Sequence, residues 1–301
     1  MTKEEMLKHT QLKPTLFESE HGPVKNVECK ADDGSYLGCF MANSPGMAEF
    51  KTGSDAIWDF GEHFVGYFSF RISITDVFPD APIRLKIKFA ETPYEMHRDF
   101  GSYTGTLASS WFQEEIVNCD SPTTYVLPRR YSFRYVKITV LSTARTVKID
   151  NLKAKAVASA DYTRLKEIKC ENSALSAIDK VAVKTLAECM QGIYEDGPKR
   201  DRRLWLGDLR VQALCDYYVF KNYSLAKRCL YMFAYFEKET EPLPPCVFEK
   251  PFLYDVSYYM TDYSLLFTVA LSEYLEHTGD TETAKNLFPT AKKQIDIVLG
   301  F

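Results

Sequence analysis

Between Ile83 and Phe89 apolar and basic residues alternate without a break (Ile-Arg-Leu-Lys-Ile-Lys-Phe), which predicts a strand with one buried face and its charges on the other. Tyr67–Ile74 alternates more loosely, and Tyr135–Val140 repeats the period of two. Clusters of turn formers, Asp32-Asp33-Gly34 and Phe78-Pro79-Asp80-Ala81-Pro82, separate these runs. Many short strands with no intervening helical period predict a β-sandwich over residues 1–160. Within it, Tyr94 to Trp111 holds His97, Arg98, Asp99 and Tyr103 and has no period, so it reads as a long loop of the kind that often carries function.

The pattern changes near Ala158-Ser159-Ala160-Asp161. Beyond it Leu175, Ile178, Ala182, Leu186, Cys189 and Ile193 recur at helical steps, with Asn172 as N-cap. Further helices are predicted over Leu209–Lys221, Ser224–Glu237 and Ser257–His277, the last ended by Gly279 as an αL cap. Asp280 then caps a final run that is still periodic at Ile295, Val298 and Leu299. The second domain, residues 161–301, thus reads as about five helices in antiparallel hairpins.

At 301 residues, 46% hydrophobic and 26% charged, the chain has material for two cores. A net charge of −4 supplies no basic field, which argues against a nucleic-acid partner. No apolar run is long enough to span a bilayer, and Met1–Met6 lacks the apolar segment of a signal peptide. The eight cysteines form no CxxC pair and the five histidines are dispersed, so we expect reduced thiols, a cytoplasmic protein and neither metal nor cofactor.

Chemistry concentrates in Tyr194–Asp208, where Glu195, Asp196, Asp201 and Asp208 stand among Lys199, Arg200, Arg202, Arg203 and Trp205. Gly197-Pro198 is expected to break the preceding helix and Asp208 to cap the next one. Carboxylates beside arginines stay ionised, whereas those crowded by other acids or aromatic rings have raised pKa values. Such a split serves the acid and base roles of glycoside hydrolysis. The plainer reading of the same residues is a helix cap with solvated ion pairs. Glu249, Asp255 and Asp262 among Phe252, Tyr254, Tyr258 and Tyr259 form a second acidic-aromatic cluster, with Asp255 the stronger candidate.

Asp196-x-Pro198-x-Arg200-Asp201-Arg202, followed by Trp205-x-x-Asp208, resembles the signature of bacterial α-L-rhamnosidases (glycoside hydrolase family 78-like) in the six-hairpin glycosidase superfamily. Trp58-Asp59-Phe60-Gly61-Glu62, Gly66-Tyr67, Phe89-Ala90-Glu91 and Tyr131–Val136 resemble the β-domain that precedes the barrel in that family. The resemblance implies a β-sandwich followed by the first helices of an (α/α)6 barrel. It implies inverting hydrolysis of a terminal sugar, with Asp201 as general acid and Asp196, Arg200, Trp205, Asp208 and Asp255 as sugar-binding residues. The general base of such enzymes lies late in the barrel, beyond residue 301.

The commoner motif has glutamate where this chain has Arg202, and often glycine where it has Leu204. A non-catalytic carbohydrate-binding protein with a degenerate site is therefore the alternative. Twelve helices close an (α/α)6 barrel and the last run stops in mid-pattern, so the expectation is the front part of a longer protein.

Overall fold

The computed structural model describes residues 1–31, 39–75, 77, 80–166 and 170–300. The expected turn at Asp32-Asp33-Gly34 lies outside the described residues, as do Phe78 and Pro79 of the second turn. The chain forms two compact units, one from Glu18 to Val157 and one joining Met1–Phe17 to the segment from Ala158 onward.

The first unit is built of strands β1 (Phe17–His21), β2 (Lys25–Ala31), β3 (Cys39–Asn43), β4 (Asp55–Ile74), β5 (Ile83–Ala90), β6 (Glu114–Cys119), β7 (Thr123–Val126), β8 (Tyr131–Ser142) and β9 (Val147–Ala158). They pair as one nine-stranded network with the path β1-β9-β4-β8-β5-β6, and β2 and β7 also pair with β4. β4 makes this possible. Asp55–Asp59 and Phe64–Gly66 pair with β8 across a register break between Asp59 and Phe64, and Gly66–Ile74 pairs with β9. The alternation read from the sequence has its cause in this core. Ile83, Leu85, Ile87 and Phe89 are at most 1% exposed, each contributing about 1.5–3 kcal/mol by burial. Phe68, Phe70 and Ile72 face the same core from β4.

The β-region motifs meet in space. Arg134 donates through Nε and Nη2 to the two oxygens of buried Asp59, at 2.8 and 3.0 Å. Ser132 Oγ donates to Glu91 Oε1 at 2.7 Å. The segment read as a long loop is more ordered than expected. It holds helix α2 (Pro93–His97) and 3₁₀ turns at Phe100–Ser102 and Ser109–Trp111, with Phe100 stacked on Phe112 at 4.4 Å.

The second unit corrects one part of the sequence reading. Residues 1–16, ahead of β1, do not belong with the strands: α1 (Lys3–Gln11) opens on a Thr2/Glu5 capping box and belongs with the helices. Its His9 ring stacks on Tyr231 at 4.0 Å. The remaining helices are α3 (Ser173–Cys189), α4 (Leu206–Tyr218), α5 (Tyr223–Tyr235), α6 (Thr261–Thr278) and α7 (Thr281–Leu299). α5 is buried on every side, from Leu225 and Ala226 through Arg228–Ala234, as expected of a helix at the centre of a core. Asn172, Gly279 and Asp280 take the capping positions expected of them.

α3 departs from expectation. Ile193 lies outside it, and Leu175, Ile178 and Val181 are 55%, 64% and 67% exposed. Its periodic face is real, but of the helix only Leu186 and Ala187 are buried.

Candidate active site

The charged segment starts where α3 stops. The helix ends at Cys189, eight residues before Gly197, so Gly197-Pro198 is not what breaks it. Instead Met190 and Tyr194 form an antiparallel bridge, and buried Met190, Ile193 and Tyr194 anchor the turn in the core. Tyr194 donates its hydroxyl to Asp216 Oδ2 at 2.6 Å, fixing the entrance of the loop to α4. Burial raises the pKa of both groups.

The loop then closes on itself. Asp196 N–H donates to Arg203 O at 3.0 Å, and Arg203 N–H donates back to Asp196 Oδ1 at 2.9 Å. Gly197 N–H gives Oδ1 a second donor at 2.9 Å. Within this clasp Asp201 and Arg202 adopt φ of 63° and 53°, a left-handed pair that costs non-glycine residues about 1–3 kcal/mol each. Arg202 is held there by its N–H to Arg200 O (2.8 Å) and by Nε to Pro198 O (2.6 Å). Strain of this kind persists where surrounding bonds over-determine it, as at binding sites.

Asp196, Asp201 and Asp208 lie within electrostatic reach of one another. Burial raises the pKa of Asp196, and the Asp201 and Asp208 charges raise it further against the Arg203 and Gly197 N–H groups. Burial also raises that of Asp208. Asp208 is not an N-cap. Trp205 occupies that position and Asp208 falls in the first turn of α4, because the helix starts three residues earlier than its polar boundary suggested. Arg200 stands beside Asp201 with Nε 3.8 Å from Oδ1, an ion pair longer than a hydrogen bond.

A three-stranded sheet ties this loop to the second cluster. β10 (Leu204–Trp205) pairs with β11 (Cys246–Phe248), which pairs with β12 (Tyr254–Asp255). Trp205 stands opposite Cys246, whereas Asp255 stands opposite Val247 and, through it, Leu204. With a period of two, Trp205 and Asp255 therefore belong to opposite faces of the sheet. The Trp205–Cys246 row lies within electrostatic reach of the acids. Cys246, whose thiol burial pushes up to about 12, feels the charges of Asp196, Asp201 and Asp208. Arg203 covers the Phe248 ring at 4.8 Å, and Phe248 stacks on Tyr254 at 4.3 Å.

Tyr263 escaped the sequence reading. It sits in the first turn of α6, its ring edge-on to Trp205 at 6.2 Å and 77°. Its place next to Asp262, within the second acidic-aromatic cluster, was the available signal. Among the described residues no group of three or more His, Cys, Asp or Glu side chains is placed to hold a metal.

Comparison with known proteins bears on the two domains as wholes. Residues 23–156 match the glycosyl hydrolase family 78 α-rhamnosidase N-terminal domain, and residues 163–300 match the bacterial α-L-rhamnosidase six-hairpin glycosidase domain. The chain is similar to the rhamnosidase from Klebsiella oxytoca solved with rhamnose bound, at 38% identity and a TM-score of 0.94, covering 99% of this chain and 60% of that one. It shares its fold with the family 78 rhamnosidase of Bacillus sp. GL1, with 23% identity, a TM-score of 0.66 and coverage of 80% and 24%. An α-L-rhamnosidase of Formosa agariphila is 28% identical over 179 residues, 58% of this chain and 18% of that protein. The chain therefore spans less than two thirds of these relatives. Two family models that between them account for residues 23–156 and 163–300 place the chain in the α-L-rhamnosidase-like proteins of glycoside hydrolase family 78.

Proposed function

We propose that this chain carries the acid half of an α-L-rhamnosidase site, in a protein that hydrolyses a terminal α-L-rhamnoside with inversion. The observation that carries the reading is the convergence of Asp196, Asp201 and Asp208 beside Trp205, in the segment that matches the six-hairpin family model. Helices α3–α7 are read as the opening part of an (α/α)6 barrel.

Asp201 is the proton donor to the leaving oxygen, presented from a loop whose backbone is fixed by the Asp196–Arg203 clasp. Asp196 and Asp208 accept hydrogen bonds from sugar hydroxyls and set the charge around the donor, and Trp205 offers its face to the C–H side of the ring. Arg200 borders the site, while Asp255 lies on the sheet face opposite Trp205. An inverting reaction needs a base about 6.5–9.5 Å from the acid to leave room for water, and that base comes from outside these residues. Eight free thiols support a reducing, cytoplasmic setting.

The rival reading, a sugar-binding protein without catalysis, draws on Arg202 standing where the commoner motif has glutamate. Hydrolysis of 4-nitrophenyl α-L-rhamnoside by the full-length protein separates the two. We expect turnover, release of β-rhamnose by NMR, and for Asp201→Asn a loss of about 10²–10⁴ in kcat on an alkyl rhamnoside, a smaller loss on the nitrophenyl substrate, whose leaving group needs little protonation, and little change in rhamnose affinity. Rhamnose binding without turnover would support the rival.

A further inference from the structure

We propose that Tyr263 is a sugar ligand of this site, its hydroxyl donating to a substrate hydroxyl that in turn donates to Asp208. The inference rests on the reading of the acid cluster as a rhamnoside site and adds to it a specificity residue from another helix.

The argument begins at Gly207, the second residue of α4. A Cβ there would lie 2.9 Å from both Cζ and Oη of Tyr263 and 3.1 Å from Cε1. The phenol end of Tyr263 therefore rests against the bare Cα of the residue between Leu206 and Asp208, a position open to it only because Gly207 has no side chain. The placement is rigid. α4 and α6 pack together and are joined by Arg210, whose Nε lies 3.1 Å and Nη2 2.5 Å from the Glu273 carboxylate. Trp205, the N-cap of α4, meets the same tyrosine ring edge-on. Tyr263 thus fills the angle between the indole and the first turn of α4.

Its hydroxyl is unused. Among the described residues nothing accepts from or donates to Tyr263 Oη, although the group is partly buried, and phenols packed in this way usually find a partner. Burial and the nearby charge of Asp208 keep the phenol protonated, so it is a donor beside an acceptor. A sugar hydroxyl has one proton to give and lone pairs to receive, which matches that pair. The rings of Trp205 and Tyr263, 77° apart, form two walls of a corner for the apolar face of a sugar.

The test uses the full-length protein and Tyr263→Phe, which keeps the ring and removes one oxygen. Rhamnose affinity is read by calorimetry, and kcat/KM on 4-nitrophenyl α-L-rhamnoside and its 2-, 3- and 4-deoxy analogues. We expect Tyr263→Phe to melt like the parent, bind rhamnose about three- to tenfold more weakly and lose the same factor in kcat/KM through KM, the scale of one neutral hydrogen bond. On one deoxy analogue the loss should vanish, and Asp208→Asn should lose its effect on that same analogue. Equal losses on every analogue, or unchanged rhamnose affinity, would overturn the assignment even if the enzyme hydrolyses rhamnosides normally. Weakened rhamnose binding in a protein without turnover would uphold Tyr263 and reject the hydrolase reading. A protein that neither binds nor cleaves these sugars would reject both.

Discussion

Arg228 is 3% exposed, inside the most buried helix of the structure, and replacing it by methionine is the sharpest test of how the helical unit is held together. Its Nε donates to Thr10 O at the end of α1 and its Nη2 to Glu249 Oε1 just past β11, both at 2.8 Å. Nη1 donates to Gly192 O in the turn that leads into the charged loop. One guanidinium therefore ties together three segments distant in sequence. Methionine keeps most of the volume, so no large cavity enters the estimate. What is lost is three hydrogen bonds, about 0.5–1.5 kcal/mol each, together with the counter-charge of Glu249, whose side chain is only 18% exposed. Breaking a buried pair from one side costs about 3–5 kcal/mol when the remaining charge is stranded; Lys13 Nζ, 4.0 Å from the same Glu249 oxygen, compensates part of it and sets the cost at the lower end of that range. We expect Arg228→Met to lower the free energy of unfolding in urea by that amount and to deprotect the α1 amides in hydrogen exchange. Glu249→Gln should cost less, about 1.5–3 kcal/mol, and the double variant should fall short of the sum by about 1 kcal/mol or more, since no charge is stranded in it. An Arg228→Met protein within about 1 kcal/mol of the parent, with α1 still protected, would refute the reasoning.

The other predictions are more local. Asp208→Ser in the full-length protein should leave the melting temperature nearly unchanged, since Asp208 makes no N-cap, and should cost about ten- to hundredfold in kcat/KM if a charge-assisted bond to the sugar worth about 1.5–3 kcal/mol is lost. Asp280→Ala removes the α7 cap and should cost about 1 kcal/mol at neutral pH. Burial pushes the Asp280 carboxyl up, but Thr283, Lys227 and Tyr274 outweigh that and hold it well below the ordinary range. Its contribution is thus present above about pH 4, the unfolded value, and is lost as pH falls toward the depressed folded value. Parent and variant should converge in acid urea melts, and a gap that stays constant down to pH 2 would reject the linkage. The exposed Leu175–Ile178–Val181 face should bind a hydrophobic dye in the 301-residue chain, and Ile178→Lys should reduce that signal.

The strands and the helix caps were legible because period-two alternation and Asn172, Gly279 and Asp280 each leave a local trace. The α1 cap left one too: Thr2 and Glu5 stand at capping-box spacing, a signal overlooked beside the strands that follow. The acid loop was legible as composition but not as shape. Nothing in Asp201-Arg202 announces two left-handed residues, since neither is glycine or asparagine and the conformation is imposed by the Asp196–Arg203 clasp. The start of α4 was misplaced for a related reason. Its N-cap, Trp205, has no side-chain oxygen, so Asp208 drew the boundary to itself. Arg228 could not be read as buried from the sequence, because its partners are two backbone carbonyls and a carboxylate from remote segments. Tyr263 was hidden in the same way, its meaning depending on Gly207 across a helix–helix contact.

The pairing of Leu204 and Trp205 with Val247 and Cys246 has a further consequence for how the chain tolerates change. Together with the bond from Leu206 N–H to Pro245 O at 2.9 Å, it brings residues some forty positions apart side by side. Everything between them, the α4–α5 hairpin and the exposed stretch Lys238–Thr240, leaves and returns through one narrow neck. Length added at Glu239–Thr240 is therefore separated by that neck, which Trp205 helps to form, from Asp196 and Asp201 on its far side. The hairpin tip has less freedom, because Asn222 Nδ2 donates to Ser159 O at 2.8 Å and Arg164 to Lys221 O at 3.1 Å. In engineering terms the stretch after α5 is an insertion port, where a tag or a binding module can be spliced without retuning the acid loop.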